Sequence, residues 1–267
     1  MKLIAYMGSK QSLLKYLLPL PKHKQYVEVF GGSAALLLNK QKSKYEVYND
    51  VNDLLVNMFV QLKENPEELK KRLTYTIHSR SLFKEYAAKL KGNTLTSMEK
   101  AVYYIYCNYY SFGSKGGKDQ YSHRGLSYNR STTYSLHENL THYKELHKHI
   151  KNVDFFNLDY KTLFTKLLRS FDKPDVLIYV DPPYSAKTKY NYGFTNEEDL
   201  VNVINYCNQF KHAKIIFSYD KPVLDWKFKK LELTTSLNNK KEGFKRDEYI
   251  FYKRAELHTP ISNHREL

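Results

Sequence analysis

The four residues Asp181-Pro182-Pro183-Tyr184 carry the clearest chemical signal in the sequence. The prolines have no backbone N–H, so this segment offers carbonyl acceptors beside the aspartate carboxylate. A carboxylate and a carbonyl can together accept both N–H bonds of an exocyclic amino group, while a tyrosine ring stacks on the heterocycle that carries it. Taken alone, these residues also fit a Pro-rich turn without chemistry.

The apolar run 176–180 directly precedes Asp181 and is predicted to form a buried strand. Open α/β sheets bind their ligands at the carboxyl ends of the strands. The sequence therefore predicts that Asp181 and Tyr184 lie at the ligand-binding edge of such a sheet.

A second candidate element lies near the N-terminus. Segment 25–30 is strand-like, 31–34 is a predicted tight turn, and the apolar run 35–39 is predicted to begin a helix. A second strand at 45–48 ends close to Asp50, which follows the glycines of the turn by about 20 residues. At that spacing a carboxylate can reach the ribose hydroxyls of a bound nucleoside.

The rest of the pattern predicts an α/β fold interrupted by helices. Helical segments without strands follow residue 54, and alternation resumes near residue 154, with further strands predicted at 155–156, 213–217 and 248–252. We therefore predict one α/β domain formed by 1–55 and 152–267, with a mainly helical insertion at 56–151.

Two parts of the sequence are markedly basic. Residues 113–151 hold seven Lys and Arg against three Asp and Glu, a net charge of +4. The stretch 227–246 is also rich in lysine and is interpreted as a phosphate-facing segment or as a solvated loop.

The whole chain of 267 residues has a formal net charge of +15, which favours a polyanionic partner such as nucleic acid. The lysine and tyrosine bias of an AT-rich genome is an alternative source of part of this excess. The sequence shows neither a run of about 20 apolar residues nor the apolar region of a signal peptide. Its two cysteines lack metal-ligand spacing, so we expect a reduced, cytoplasmic protein without membrane partners.

The order of these segments resembles that of the Dam-type (D12 class) N6-adenine-specific DNA methyltransferases, over nearly the whole chain. The matching segments are Tyr6-Met7-Gly8-Ser9-Lys10, Glu28-Val29-Phe30-Gly31-Gly32, Asp50-Val51-Asn52, Phe155-Phe156-Asn157-Leu158-Asp159 and Asp181-Pro182-Pro183-Tyr184. Family members usually have proline where Val29 stands and glycine where Ala34 stands, and neither difference removes a catalytic group.

The resemblance implies a Rossmann-like sheet that uses S-adenosylmethionine, with the insertion as target-recognition domain on double-stranded DNA, acting as a monomer or as a dimer on DNA. GATC is the recognition sequence that it suggests. The implied catalytic residues are Asp181, Pro182, Pro183 and Tyr184, acting on a flipped-out adenine. The implied cofactor contacts are Tyr6, Lys10, Phe30, Gly32, Asp50, Leu158, Asp159 and Asp181. Candidate DNA contacts are Lys115, Lys118, Arg124 and Arg130, the arginines on base edges.

Three alternatives remain open from the sequence. An N4-cytosine DNA methyltransferase or an RNA adenine methyltransferase would share this fold, and a catalytically inactive DNA-binding relative would keep it. A nucleotide-dependent oxidoreductase is of a different class, but the turn at 31–34 is not G-x-G-x-x-G and such an enzyme would leave the segment 181–184 unexplained.

Overall fold

The computed structural model describes residues 1, 4, 10–111, 136, 140–184, 197–235 and 244–255. The candidate cofactor contact Tyr6 lies outside the described residues, as do the four candidate DNA contacts, Lys115, Lys118, Arg124 and Arg130.

In the described part of the chain, seven strands form one mixed sheet with the order β3-β2-β1-β4-β5-β7-β6. Strand β1 pairs in parallel with β4, and β4 pairs in parallel with β5. Strand β7 is antiparallel to both of its neighbours, β5 and β6. The strands are β1 Gln25–Glu28, β2 Tyr45–Asn49, β3 Val153–Phe156, β4 Val176–Val180, β5 Lys214–Tyr219, β6 Lys227–Thr235 and β7 Phe244–Lys253.

The centre of the sheet is buried. Every residue of β4 is buried, and five of the six residues of β5 are buried. Strands covered on both faces have nearly continuous apolar runs, which is the pattern from which β4 was predicted. The predicted α/β class is therefore confirmed at the level of a mixed seven-stranded sheet.

The chain divides into two compact units by contact. The first comprises Met1–Lys15, Gly31–Lys42 and Val47–Asn157, and the second comprises Tyr16–Phe30, Ser43–Glu46 and Leu158–Leu267. The division predicted from the sequence, with an insertion at 56–151, stays a prediction.

Helices dominate the first unit, and local sequence signals begin most of them. Asn52 accepts the Leu55 N–H, and Thr96 forms a capping box with Glu99. The helices are α1 Leu14–Leu17, α2 Asp53–Glu64, α3 Pro66–Thr74, α4 Arg80–Lys89, α5 Ser97–Tyr110 and α6 Tyr143–Ile150. A short 3-10 helix, Lys10–Leu13, precedes the short helix α1, which crosses the boundary between the two units.

In the second unit, helices α7 Tyr160–Ser170 and α8 Glu197–Gln209 pack against each other. The rings of Phe164 and Tyr206 stack with their centroids 5.3 Å apart. Among the residues that the structure describes, no helix is both long and apolar enough to cross a membrane.

The helix predicted to begin at 35–39 is wrong. These residues form turns, closed by backbone hydrogen bonds from Leu38 to Ala34 and from Lys40 to Leu36. Ala34, which precedes the run, has a φ of 55°, in the left-handed region, and is therefore itself not helical. The leucines that suggested a helix are buried nevertheless.

Strand β6 was not predicted, because its many lysines obscured the alternation of buried and exposed residues that is typical of a strand. Leu231 and Leu233 are buried, whereas Glu232 between them is exposed. Segment 227–235 is therefore a strand paired with β7 rather than a solvated loop.

Candidate active site

Asp181 directly follows the last residue of β4 and is half-buried. The parallel neighbours β1 and β5 place Glu28 and Tyr219 at their own carboxyl ends. Since the carboxyl ends of parallel strands meet at one edge of a sheet, these three side chains belong to the edge at which open α/β sheets bind ligands. The predicted placement of Asp181 is confirmed.

Tyr184 is held at this edge by its hydroxyl and by its ring. Its hydroxyl donates a hydrogen bond to the Glu248 Oε1 atom. Its ring meets the Tyr219 ring edge to face, with the centroids 5.1 Å apart. Pro182, between Asp181 and Tyr184, is buried. The segment is therefore fixed by contacts with β5 and β7.

Glu248 is fully buried and was not assigned a role from the sequence. It lies in the middle of β7, which runs antiparallel to β5, and it directly precedes Tyr249, the residue paired with Tyr219 at the carboxyl end of β5. Ser218 pairs with Ile250, so Ser218 and Glu248 are diagonal neighbours on one face. The Ser218 hydroxyl donates to Glu248 Oε1 at 2.6 Å. The sequence signal for this contact was a glutamate at the start of the strand predicted at 248–252.

The electrostatics of the edge are strongly negative. Burial raises the pKa of Tyr184, and the charges of Asp181 and Glu248 raise this pKa further. The pKa of Tyr179 is raised by burial and then by the charges of Asp181, Glu248 and Glu28. Both phenols therefore stay protonated at neutral pH, and the carboxylates around them suit a group that carries or develops positive charge.

Asp50 belongs to the first unit, where its carboxylate holds the glycine turn. Its two oxygens accept backbone N–H groups from Gly32 and Asn52, each at 2.8 Å. Burial raises the pKa of Asp50, whereas the N–H bonds from Asn52, Gly32 and Val51 lower it. Its predicted contact with a ribose stays a prediction, and the structure adds a role in shaping the turn.

Gly31 and Gly32 are required by the packing and the backbone of this turn. A Cβ atom on Gly31 would lie 2.0 Å from the Tyr48 ring, closer than atoms can approach. Gly32 has a φ of 50°, which favours glycine. The Tyr48 hydroxyl donates to the Gly32 carbonyl at 2.6 Å, so the ring that excludes a side chain at one glycine also anchors the next.

The Asp-x-Asn and Phe-x-Asn segments are joined within the first unit. Asn157 donates its side-chain N–H to the Asp50 carbonyl at 2.9 Å, and the Asp50 N–H reaches the Phe156 carbonyl at 3.3 Å. Asn52 begins α2 as its N-cap. These asparagines therefore have structural roles that the sequence did not reveal.

The other candidate cofactor contacts differ in exposure. Lys10 is 6% exposed, so it is not a solvated surface lysine. Phe30 is half-buried and lies against Tyr160, with ring centroids 6.0 Å apart. Leu158 is half-buried. Asp159 is exposed and begins α7, where hydrogen bonds from Thr162 hold its pKa below the usual range. Their contacts with a cofactor stay predictions.

Replacing Asp50 with alanine should affect both stability and cofactor binding. The two N–H groups of Gly32 and Asn52 would lose their acceptor, so we expect the free energy of unfolding to fall by about 1–2 kcal/mol. We expect the free energy of S-adenosylmethionine binding to weaken by a similar amount, about 1–2 kcal/mol. Urea denaturation and titration calorimetry measure the two effects separately.

The exposed Asp225 provides the control, because Asp225→Ala removes a carboxylate without a turn to support. If Asp50→Ala reduces stability while the folded protein binds S-adenosylmethionine with unchanged affinity, Asp50 supports the turn only and is not a cofactor contact.

Within the described residues, His, Cys, Asp and Glu side chains form no group of three or more that could hold a metal ion. The two cysteines are both buried as free thiols. Burial raises the pKa of each of them well above its usual range.

Residues 6–247 match the profile of one protein family, described as the D12 class N6 adenine-specific DNA methyltransferases. The chain is also similar to the type II methyltransferase M1.LlaDCHI of Lactococcus lactis subsp. cremoris, with 29% identity over 213 residues, which cover 72% of this chain and 71% of that protein.

Two solved structures align with the chain at low similarity. One is a conserved hypothetical protein of Streptococcus pyogenes, with a TM-score of 0.34 and 10% identity over 91% of this chain and 94% of that one. The other is the putative methyltransferase yhhF of Escherichia coli, with a TM-score of 0.35 and 12% identity over 91% of this chain and 84% of that one.

Proposed function

Because the chain belongs to the D12 class of N6 adenine-specific DNA methyltransferases, we propose that Asp181, Pro182, Pro183 and Tyr184 carry out adenine methylation in this protein. The observation that supports this assignment best is the position of Asp181 at the carboxyl end of the buried β4, beside a Tyr184 fixed by Glu248. The methyl donor of the family, S-adenosylmethionine, supplies a methyl group already activated for transfer to a nucleophile.

Asp181 has the central role in this proposal. The lone pair of the adenine amino group is delocalised into the ring, so the free amine is a weak nucleophile. Hydrogen bonds from the amino group to the Asp181 carboxylate and the Pro182 carbonyl would orient the nitrogen and turn its lone pair toward the methyl group. The negative charge of Asp181 would also stabilise the positive charge that develops on the nitrogen during transfer.

Tyr184 would bind the target base outside the helix. An adenine stacked inside duplex DNA cannot reach a pocket at a sheet edge, so it must flip out of the duplex. Stacking of a base on an aromatic ring contributes about 1–3 kcal/mol and can replace part of the lost stacking. A half-buried ring with an anchored hydroxyl is suited to this task.

The described residues fit the chemistry of S-adenosylmethionine. The carboxylates of Glu28, Asp181 and Glu248 make the edge of the second unit favourable for a positively charged sulfonium. Phe30 offers an apolar ring. The remaining proposed contacts are the sequence matches Tyr6, Lys10, Gly32, Asp50, Leu158 and Asp159.

Site recognition is assigned to residues 56–151, on the basis of their basic composition between 113 and 151. Lys115 and Lys118 would contact phosphates, whereas Arg124 and Arg130 would read base edges. Acting on DNA in the cytoplasm, the protein would work as a monomer or as a dimer on its site.

The experiment that tests this function is methylation of plasmid DNA by the purified protein with S-adenosylmethionine, followed by base-level detection of N6-methyladenine. We expect N6-methyladenine at one short recognition sequence, and GATC is the first candidate sequence to examine for methylation. The matched reaction uses RNA of the same sequence. N4-methylcytosine as the only product, methylation confined to RNA, or an unmodified plasmid would contradict the proposal.

A further inference from the structure

We propose that Glu248 is a positioning residue for methyl transfer, which acts by holding the hydroxyl of Tyr184. The inference rests on the proposed function, and it adds a residue of β7 to a site otherwise built at the carboxyl ends of β1, β4 and β5. Nothing in the segment 181–184 itself indicates this partner, which is 64 residues away in the sequence.

Glu248 is fully buried, so its carboxylate depends on hydrogen bonds from neighbouring groups. The residue is 0% exposed, and a buried carboxylate is costly unless hydrogen bonds compensate for its lost hydration. Two hydroxyl groups, those of Tyr184 and Ser218, donate to the same oxygen, Oε1. Hydrogen bonds to an ionised acceptor are stronger than those between neutral groups.

The hydrogen bond between Glu248 and the Tyr184 hydroxyl adds a second support to the ring contact of Tyr184. The edge-to-face contact with Tyr219 supports the ring, and the hydrogen bond to Glu248 holds the hydroxyl. Both supporting residues lie on paired strands, since Tyr219 ends β5 and Glu248 lies on β7. Sites supported by regular elements hold their geometry better than sites supported by loops alone.

A fixed ring matters because Tyr184 is proposed to receive the flipped adenine. A ring that rotates away would leave the flipped base without a stacking partner, and small displacements of a bound reactant slow a reaction strongly. Glu248 would therefore raise the population of flipped, correctly placed adenine without touching the base or the methyl donor.

A double-mutant cycle with Glu248→Gln and Tyr184→Phe tests the inference. Glutamine keeps the shape of glutamate but weakens the charged bond, and phenylalanine keeps the ring but removes the hydroxyl. We expect each variant to lower the single-turnover rate about 10-fold, and the double variant also about 10-fold rather than about 100-fold, because both changes act on the same hydrogen bond. Glu232→Gln, on the exposed face of β6, is the matched control and should keep the wild-type rate.

A second readout separates positioning from a purely structural role. With 2-aminopurine at the target position of a saturated duplex, fluorescence rises when the base leaves the stack. We expect a reduced rise for Glu248→Gln and for Tyr184→Phe, and partial recovery of both transfer rates on a duplex in which the target adenine is mismatched and flips more easily.

Additive effects in the cycle, or a wild-type fluorescence rise in both variants, would overturn the inference. If Glu248→Gln does not fold, Tyr184→Phe alone decides, because wild-type rate and fluorescence in that variant would show that the hydroxyl bond is dispensable. A wild-type protein that leaves adenine unmethylated would instead overturn the proposed function, so the two failures are distinguishable.

Discussion

Replacing Asp181 with alanine is expected to slow single-turnover methyl transfer by at least about 100-fold, equivalent to about 2.7 kcal/mol of transition-state stabilisation. The variant would lose the acceptor for the adenine amino group and the negative charge that stabilises the developing cation. Its fold should survive, because Asp181 lies after the end of β4, and the buried residues of that strand are unchanged. Rapid-quench measurement with enzyme in excess over DNA gives the rate.

Asp181→Asn separates the two contributions of this side chain. Asparagine keeps one carbonyl acceptor but removes the charge, so we expect a rate between those of the wild type and Asp181→Ala. Asp225→Ala, at an exposed position, should keep the wild-type rate. An Asp181→Ala protein that transfers methyl groups at the wild-type rate would remove the central assignment of the proposed function.

Replacing Gly31 with alanine is expected to lower the free energy of unfolding by at least about 3 kcal/mol, the upper end of overpacking effects. The new Cβ atom would lie 2.0 Å from the Tyr48 ring, which is fully buried and is held by its bond to the Gly32 carbonyl. Neither the ring nor the turn can move without breaking other contacts. Urea denaturation followed by circular dichroism measures the change.

Gly92 offers a matched control for this prediction. A Cβ atom there would lie 3.5 Å from the Lys89 carbonyl, an ordinary contact, so Gly92→Ala should change stability by about 0.5 kcal/mol or less. Equal stability of the Gly31→Ala and Gly92→Ala proteins would mean that the turn at Gly31 yields easily, and it would remove the packing role assigned to Tyr48.

The parts of the fold that could be predicted were those with a local pattern. The apolar run of β4 indicated a buried strand, and the following Asp181 was thereby placed at the carboxyl edge of the sheet. The capping box at the start of helix α5, Ser97–Tyr110, is local in the same sense, because it joins Thr96 and Glu99, three positions apart. The prediction of a helix at 35–39 failed because the leucines of this run are buried in turns rather than in a helix. Ala34, directly before the run, has a left-handed backbone conformation.

The support of the site could not be predicted, because it depends on contacts between distant segments. Glu248 reaches Tyr184 only because β7 runs antiparallel to β5. The spacing of Asp50 suggested a ribose contact, but the bonds from Gly32 and Asn52 that occupy its oxygens follow from the turn geometry. The type of a residue indicated which chemistry it could perform, whereas its contact partners could be identified only from the three-dimensional structure.

The place of β7 within the sheet has a consequence for the synthesis of the protein. The ribosome synthesises β5 before β7. Until β7 is made, β5 would be the edge strand of a β1-β4-β5 sheet, with unpaired backbone groups on a strand whose residues are almost all buried in the folded protein. Such an edge can pair with another chain and cause aggregation. Strand β7, which covers this edge, also carries Glu248. Pairing of β7 with β5 would therefore protect the edge from aggregation and complete the site in one folding step.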